Sequence, residues 1–291
     1  MAPPNAGAFS VNLREVFASV GARGKESRKL DAGDGAATDV ILEADDLAAV
    51  RAALRAPMAD QQLDWCLQPL EGRRKRLLVA DMDSTIINVE CLDELADFAG
   101  LKAEISAITQ RAMRGELAFE GALRERVGML KGLPVAALQQ AYDQRVRLNP
   151  GARTLVRTMA AHGAHCALVS GGFKFFTARV AQAAGFQTDR ANTLIEADGK
   201  LTGQVGEPIL GKEAKLAALK EDAAALGIPL SATLAIGDGA NDLAMIEAAG
   251  LGVAYRAKPM VAAQADAKVD HADLTALLYF QGYNASEFVT D

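Results

Sequence analysis

The sequence predicts an α/β fold of three layers, a parallel sheet with helices on both faces. A helical-bundle cap is inserted after the first strand, and a small α/β appendage precedes the main domain. Three observations predict this. From Leu77 onward, short apolar runs end in small or polar residues, and a helical segment follows each. A long helical stretch breaks that alternation after the first run. Residues 1–72 lie outside the alternation, so the chain divides into an appendage at 1–72 and a main domain at 73–291 with its cap at about 92–148.

In chain order, residues 1 to about 35 are rich in Gly, Ala and charge, and their weak periodicity predicts no element. "TDVILEA" (38–44) predicts a strand, and "DDLAAVRAALRA" (45–56) a helix with an acidic start. "PLEGRRKR" (69–76) reads as a linker whose basic run is a solvated loop. "LLVA" then runs into Asp81, "CALVS" (166–170) into Gly171-Gly172, and "TLAIG" (233–237) into "DGAND"; "GVAY" (252–255) follows. Between 92 and 148, "LDELADFAG", "AEISAITQRAMRG", "AFEGALRERVGMLKG" and "VAALQQAYDQRV" predict the cap helices. "PGARTLVRTMAAHG" (150–163) predicts a helix capped by Asn149, with Pro150 in its first position and Gly163 past its end. "LIEADGKLTGQV" (194–205) alternates around Asp198-Gly199, a hairpin signal. In such sheets ligands bind off the carboxyl ends of the strands, where the polar clusters fall.

Half of the 291 residues are hydrophobic and 23% are charged, enough for a sizeable core and unlike a disordered chain. The net charge of −6 argues against a nucleic-acid partner. Cys66, Cys91 and Cys166 are odd in number and widely spaced, which fits a reducing compartment rather than a disulfide framework or a zinc site. No basic stretch with an apolar core opens the chain, and no apolar run approaches the ~20 residues of a membrane span. The expectation is a cytoplasmic protein with no membrane partner. "YFQG" (279–282) resembles a protease-tag scar, but "TALL" before it does not complete such a site, so it is read as native.

The chemistry begins with Asp81 and Asp83. Two carboxylates at the end of a core strand repel each other and cost desolvation. In extended chain, residues two apart face the same way, so both could meet one ligand. They could act as nucleophile and proton donor, or hold a divalent cation that offsets their repulsion. D-x-D alone is short, and some glycosyltransferases use it to hold a metal-bound nucleotide sugar. "SGGF" (170–173) offers a hydroxyl and two residues whose backbone N–H groups can approach an anion, although SGG alone is usually a turn. "GDGAND" (237–242) sets Asp238 at a strand end and Asp242 four residues on, on one helical face, denser in acids than capping requires. "GKEAKLAAL" supplies Lys212 and Lys215. Together these make a phosphoryl-transfer inventory. Enzymatic hydrolysis of phosphate monoesters reaches accelerations of ~10²¹, on the order of 28 kcal/mol. One oxyanion donor supplies ~3–4 kcal/mol. A nucleophile, a cation, an acid and a phosphate cradle must therefore act together.

D81-M-D-S-T85, S170-G-G172, Lys215 and G237-D-G-A-N-D242, in this order, resemble the haloacid dehalogenase (HAD) superfamily of aspartate-nucleophile phosphatases. "DMDSTIINVECLDELADFAG", "FEGALRERVGMLKGLP", "VSGGF" and "AIGDGANDLAMIEAAGLGVAYRAKP" resemble those of its members that act on phosphoserine, over about residues 75–282. The resemblance implies a HAD-like Rossmannoid sheet and Mg²⁺-dependent hydrolysis of O-phospho-L-serine to L-serine and phosphate, the last step of serine biosynthesis. It implies Asp81 as the nucleophile that becomes an aspartyl phosphate, and Asp83 as proton donor and then base. Mg²⁺ would be held by the Asp81 carboxylate, the Asp83 main-chain carbonyl and Asp238, with Asp242 orienting metal-bound water. Ser170, Gly171, Gly172 and Lys215 would hold the phosphoryl group, with Asn241 near. Glu90 would meet the substrate ammonium and Arg126 its carboxylate, with Met113 and Phe119 as pocket walls. Spacing leaves Arg124 as a rival to Arg126, and Lys212 to Lys215. The resemblance does not reach residues 1–70, where relatives often carry ACT-type regulatory modules. A truncated module, a structural appendage and a homodimer contact stay open there.

Other readings are a phosphatase for phosphohomoserine or a small sugar phosphate, a phospho-accepting signalling domain, and a silent binding protein. A sugar phosphate needs no clamp of Glu90 and Arg126. A signalling domain lacks the cap and the second aspartate. No motif is broken, as a silent protein would require.

Overall fold

The computed structural model describes residues 11–31, 37–113 and 116–290, without the side chains of 110, 112 and 113. Helix α1 (Leu13–Ser19), strands β1 (Arg23–Lys29) and β2 (Thr38–Glu43) and helix α2 (Leu47–Ala59) build the appendage. The two strands pair antiparallel. Asp46 caps α2, its carboxylate accepting from the N–H groups of Ala48 and Ala49 at 2.8 and 3.1 Å. Phe17, Ala22, Val50, Leu54, Met58 and Leu67 form a core of their own. α1 and β1 lie where the sequence predicted no element: β1, R-G-K-E-S-R-K, is exposed throughout and has no apolar alternation to read.

Strand β3 (Leu77–Ala80) opens the main sheet, and an irregular turn, Met82–Ile86, leads from it. The cap follows as α3 (Cys91–Phe98), α4 (Lys102–Met113), α5 (Phe119–Met129) and α6 (Ala136–Arg145). Then come α7 (Ala152–Ala161), β4 (His165–Phe173), α8 (Lys174–Ala184), β5 (Thr188–Asn192), and the hairpin β6 (Leu194–Ala197) with β7 (Lys200–Val205). The chain ends through α9 (Lys212–Ala225), β8 (Thr233–Gly237), α10 (Leu243–Ala248), β9 (Leu251–Tyr255), α11 (Pro259–Gln264), β10 (Ala267–Val269) and α12 (Ala276–Phe280). The sheet order is β10-β9-β8-β3-β4-β5, all parallel.

Every residue of β3 is buried, as a central strand covered on both faces requires. Its side chains alternate. Leu78 and Ala80 join a core with Leu168, Leu234 and Ile236, whereas Leu77 and Val79 join another with Val169, Leu219 and Ala235. The first core runs without a break into the cap through Cys91, Leu95, Leu123 and Val127. The hairpin also touches the cap: Gly132 N–H donates to Leu201 O at 2.8 Å, and Leu201 N–H to Leu133 O at 2.9 Å. No helix among the described residues is long and apolar enough to cross a membrane.

Two local expectations fail. α7 begins at Ala152 behind Gly151, so Pro150 precedes its cap position. Asn149 does not cap α7 with its side chain; its Nδ2 donates to the carbonyls of Thr85 and Ile87 at 2.8 and 3.0 Å, stitching the turn after β3 to the end of the cap. Gly163 does follow the helix end with φ +84°. The basic run is no solvated loop. Arg73 grips both oxygens of Asp39 at 2.8 Å, Arg74 grips Glu287 and stacks 4.1 Å over Tyr283, and Lys75 Nζ reaches the carbonyls of Gly72 and Ser231. The run joins the appendage to the C-terminal segment because those carboxylates and carbonyls converge on it. Burial raises the Asp39 carboxyl, but Arg73 and Arg28 outweigh it and hold Asp39 below the usual range. Gln281, inside "YFQG", is fully buried and accepts the Lys75 N–H at 3.0 Å, so this segment is part of the fold.

Candidate active site

The polar clusters meet at the carboxyl edge of the sheet. Asp81 and Asp83 both keep extended dihedrals, φ −69° with ψ 159° and φ −65° with ψ 137°. They therefore leave β3 on one side of the chain. Asp81 is buried, and its Oδ1 lies 2.5 Å from Lys215 Nζ, which also bonds Asp242 Oδ1. Lys215 stands on the buried stripe of α9 with Ala218, Leu219 and Ala223, so its ammonium is delivered from inside. Lys212 is exposed beside Glu213 at 3.8 Å, whereas Lys215 reaches the buried aspartates.

Asp83 Oδ1 accepts the Cys91 N–H at 3.0 Å, and the Ser170 hydroxyl approaches its Oδ2 at 3.4 Å. Gly172 N–H donates to Ser170 Oγ at 2.9 Å. A Cβ on Gly172 would stand 2.9 Å from Asp83 Oδ2, so only glycine lets β4 pass this close. Asp238 follows β8, and its Oδ1 accepts from Thr85 Oγ1 at 3.3 Å. Asp242 sits at the cap position of α10, fully buried, with Gly239 N–H on its Oδ2 at 3.0 Å. Asp238 and Asp242 are thus joined by a turn, not by one helical face as the spacing suggested. A Cβ on Gly237 would meet Asp242 Cγ at 2.4 Å, which explains the glycine before Asp238. Asn241 is half-buried in the same turn.

Carboxylate oxygens of Asp81, Asp238 and Asp242 all lie within 4.8 Å of one another. Such hard oxygen donors suit a divalent cation of the Mg²⁺ kind. Protonation states carry the same sign of strain. Burial, then Asp242, pushes Asp81 well above the usual carboxylate range against the pull of Lys215. Burial and Glu90 raise Asp83 to about 7; burial, Asp242 and Glu90 raise Asp238 to about 6. Burial would lower Lys215, but Asp81 and Asp242 outweigh it and raise it. The cluster holds more carboxylate than one lysine neutralises, and a cation fits that excess.

The cap supplies the opposite wall. The Phe119 ring, at the start of α5, lies against Gly171 and Gly211. Arg126 is half-buried on α5, bonded to Ala122 O at 3.2 Å; burial lowers its pKa while Asp93 and Glu90 oppose that. Arg124 is exposed and forms an ion pair with Glu207, whereas Arg126 is half-buried. Glu90 precedes α3 and accepts from Ser84 Oγ at 2.6 Å. The Met113 side chain lies outside the described residues.

One contributor had no signal in the sequence. Asn192, 1% exposed at the end of β5, donates through Nδ2 to Gly171 O at 2.8 Å and Leu210 O at 3.3 Å, and accepts the Leu210 N–H at 2.7 Å. It ties the Ser170–Gly172 turn to the segment before α9. β5 reads T-D-R-A-N, without an apolar run, so neither strand nor asparagine stood out.

Comparison with known proteins agrees with this geometry. The haloacid dehalogenase-like hydrolase family matches residues 78–247. A phosphoserine phosphatase of Polaromonas sp. is 48% identical over 208 residues, 70% of this chain and 88% of that protein. A HAD family hydrolase of Salmonella enterica serovar Typhi superposes with a TM-score of 0.82 at 33% identity, covering 90% of each chain. A phospho-aspartyl intermediate analogue of phosphoserine phosphatase superposes with a TM-score of 0.66 at 40% identity, over 71% of this chain and 99% of that one. With two carboxylates, a lysine, a hydroxyl-and-glycine turn and an acidic trio converging at one sheet edge, the chain belongs to the haloacid dehalogenase-like hydrolases.

Proposed function

We propose that this hydrolase is a phosphoserine phosphatase, cleaving O-phospho-L-serine to L-serine and phosphate. The observation that carries the reading is the pairing of Asp81 with Lys215 at 2.5 Å, beside Asp83 and Ser170. The 48% identity to a phosphoserine phosphatase supports it, as does the likeness to a phosphatase carrying an analogue of an aspartyl phosphate.

In this reading an Asp81 oxygen attacks phosphorus, and the bond from phosphorus to the serine oxygen breaks. Asp83 gives its proton to that oxygen. Its pKa of about 7 suits a group that donates and then accepts near neutral pH. Asp83 then takes a proton from water, whose oxygen attacks the aspartyl phosphate and frees Asp81 and phosphate. Lys215, Ser170 and the Gly171 N–H hold the phosphoryl oxygens, with Gly172 and Asn241 near them. Glu90 receives the ammonium and Arg126 the carboxylate; Met113 and Phe119 wall the pocket. Asp81, the Asp83 carbonyl and Asp238 would hold Mg²⁺, with Asp242 beside it. When bound, Mg²⁺ supplies positive charge against the phosphoryl oxygens and the crowded carboxylates.

The division near residue 72 and a homodimer made through the appendage belong to the proposal; the exposed strand β1 is compatible with the latter. The free cysteines support a reducing, cytoplasmic setting and a place in serine synthesis fits the substrate.

The test is phosphate release from O-phospho-L-serine, phosphothreonine, phosphohomoserine and glucose 6-phosphate, with Mg²⁺ and with chelator. Selective, Mg²⁺-dependent turnover of phosphoserine is expected, and Asp81→Asn should abolish it. Equal turnover of glucose 6-phosphate would remove the substrate assignment.

A further inference from the structure

Ser84 stands in the turn between β3 and the cap with left-handed dihedrals, φ 56° and ψ −2°. Such dihedrals bring Cβ against the backbone and are uncommon outside glycine. Among the described residues only Asp198 and Arg256 share a positive φ without being glycine. Asp198 heads a hairpin, where that conformation is the ordinary solution. Ser84 heads no hairpin. Its N–H reaches Val89 O at 3.3 Å, closing a loop that returns the chain to Glu90. Its hydroxyl then donates to Glu90 Oε1 at 2.6 Å, a short bond of the charge-assisted kind.

Glu90 needs such a partner. It is exposed at the start of α3, and its side chain caps nothing there. A glutamate left free in water samples many rotamers, and that freedom is lost on meeting a ligand. The Ser84 hydroxyl removes the freedom beforehand. It occupies Oε1 and leaves Oε2 able to accept from a cation.

We propose that Ser84 is a positioning residue for substrate selection, holding Glu90 in one rotamer so that the site prefers phosphate monoesters carrying an ammonium group. The inference rests on the reading of Glu90 as the ammonium acceptor. It assigns Ser84 no contact with the reacting atoms. The strained turn is then the means by which a residue one place past Asp83 reaches Glu90.

The experiment measures kcat/KM for O-phospho-L-serine and for 3-phosphooxypropanoate, the same molecule without its ammonium. Ser84→Gly removes the hydroxyl and keeps the left-handed backbone accessible; Ser84→Ala is the second variant. The preference for phosphoserine should fall about tenfold in both, mostly through KM, since the lost preorganisation concerns binding. In a Glu90→Ala background, Ser84→Gly should change the preference no further. Equal losses on both substrates would mean a purely structural role and overturn the proposal. An unchanged preference in Ser84→Gly, with Glu90→Ala still lowering it, would overturn the role of Ser84 and keep the substrate reading. A wild-type protein indifferent to the ammonium would overturn both.

Discussion

Lys215 is buried between Asp81 and Asp242, whereas Lys212, three residues earlier, is in water. Removing one partner of a buried ion pair leaves an uncompensated charge, a loss of about 3–5 kcal/mol. Lys215→Met should therefore lower the urea midpoint in chelator and reduce kcat/KM by at least ~10², two to three hydrogen bonds to charge at ~1.5–3 kcal/mol each. Lys212→Met should leave both unchanged; equal effects of the two would refute the placement. The arginines divide likewise. Arg126→Ala should raise KM for phosphoserine about 30- to 160-fold, the ~2–3 kcal/mol of a charged hydrogen bond. Arg124 forms an exposed pair with Glu207, worth ~0–1 kcal/mol, so Arg124→Ala should stay within about threefold. Kinetics of the two variants check this. The motifs favoured Arg126 and Lys215 but left a neighbour of each open, because which side of a helix is buried depends on contacts made only in the fold.

At the scale of elements, strand ends do the assembling. Asn192 joins β5 to the Ser170–Gly172 turn and to Leu210, three hydrogen bonds from one amide. Asn192→Leu keeps the volume but strands a buried N–H and two carbonyls, each of which would cost about 1–3 kcal/mol if left unpaired. The expected result is a destabilisation of about 2–4 kcal/mol in urea, together with weaker inhibition by inorganic phosphate. Normal phosphate inhibition in a destabilised variant would mean that Asn192 serves the fold alone. In the main sheet the strands legible in advance, β3, β4, β8 and β9, carry apolar runs buried in the core; outside it, β2 and the hairpin were read from shorter patterns. β5 and β10 were not, because T-D-R-A-N and A-K-V at the sheet edges lack such a run. The cap helices were legible from their period, although the hairpin β6–β7, which bonds to the cap at Gly132 and Leu133, was read without that partner.

For the molecule as a whole, the carboxylate cluster sets a pH dependence. An aspartate titrates near 3.8 when unfolded, whereas Asp238 and Asp83 sit at about 6 and about 7 in the fold. Between those values the metal-free folded chain binds more protons than the unfolded one. Stability from these groups is therefore full below pH 3.8 and lost as pH rises through about 6 and about 7. Mg²⁺ needs the ionised carboxylates and binds the folded state. Its gain in melting temperature should thus be larger at about pH 7.5 than at about pH 5, read from thermal melts with Mg²⁺ and with chelator. An equal gain at both would argue against a metal at Asp81 and Asp238.

Apolar periodicity and glycine-acid spacing are local properties of the chain, so the α/β sheet, the inserted cap and the strand-end motifs are legible without the fold. Tertiary structure decided the rest. Lys215 is buried against Asp81 and Asp242 while Lys212 is exposed, and Arg124 pairs with Glu207 at the surface. The cluster of Asp81, Asp238 and Asp242 comes from strands distant in sequence that adjoin in the sheet. The arginines at 73 and 74 became a clasp through Asp39 and Glu287, which no local pattern connects to them. Which charge is buried, and against which partner, depends on contacts that only the closed sheet creates.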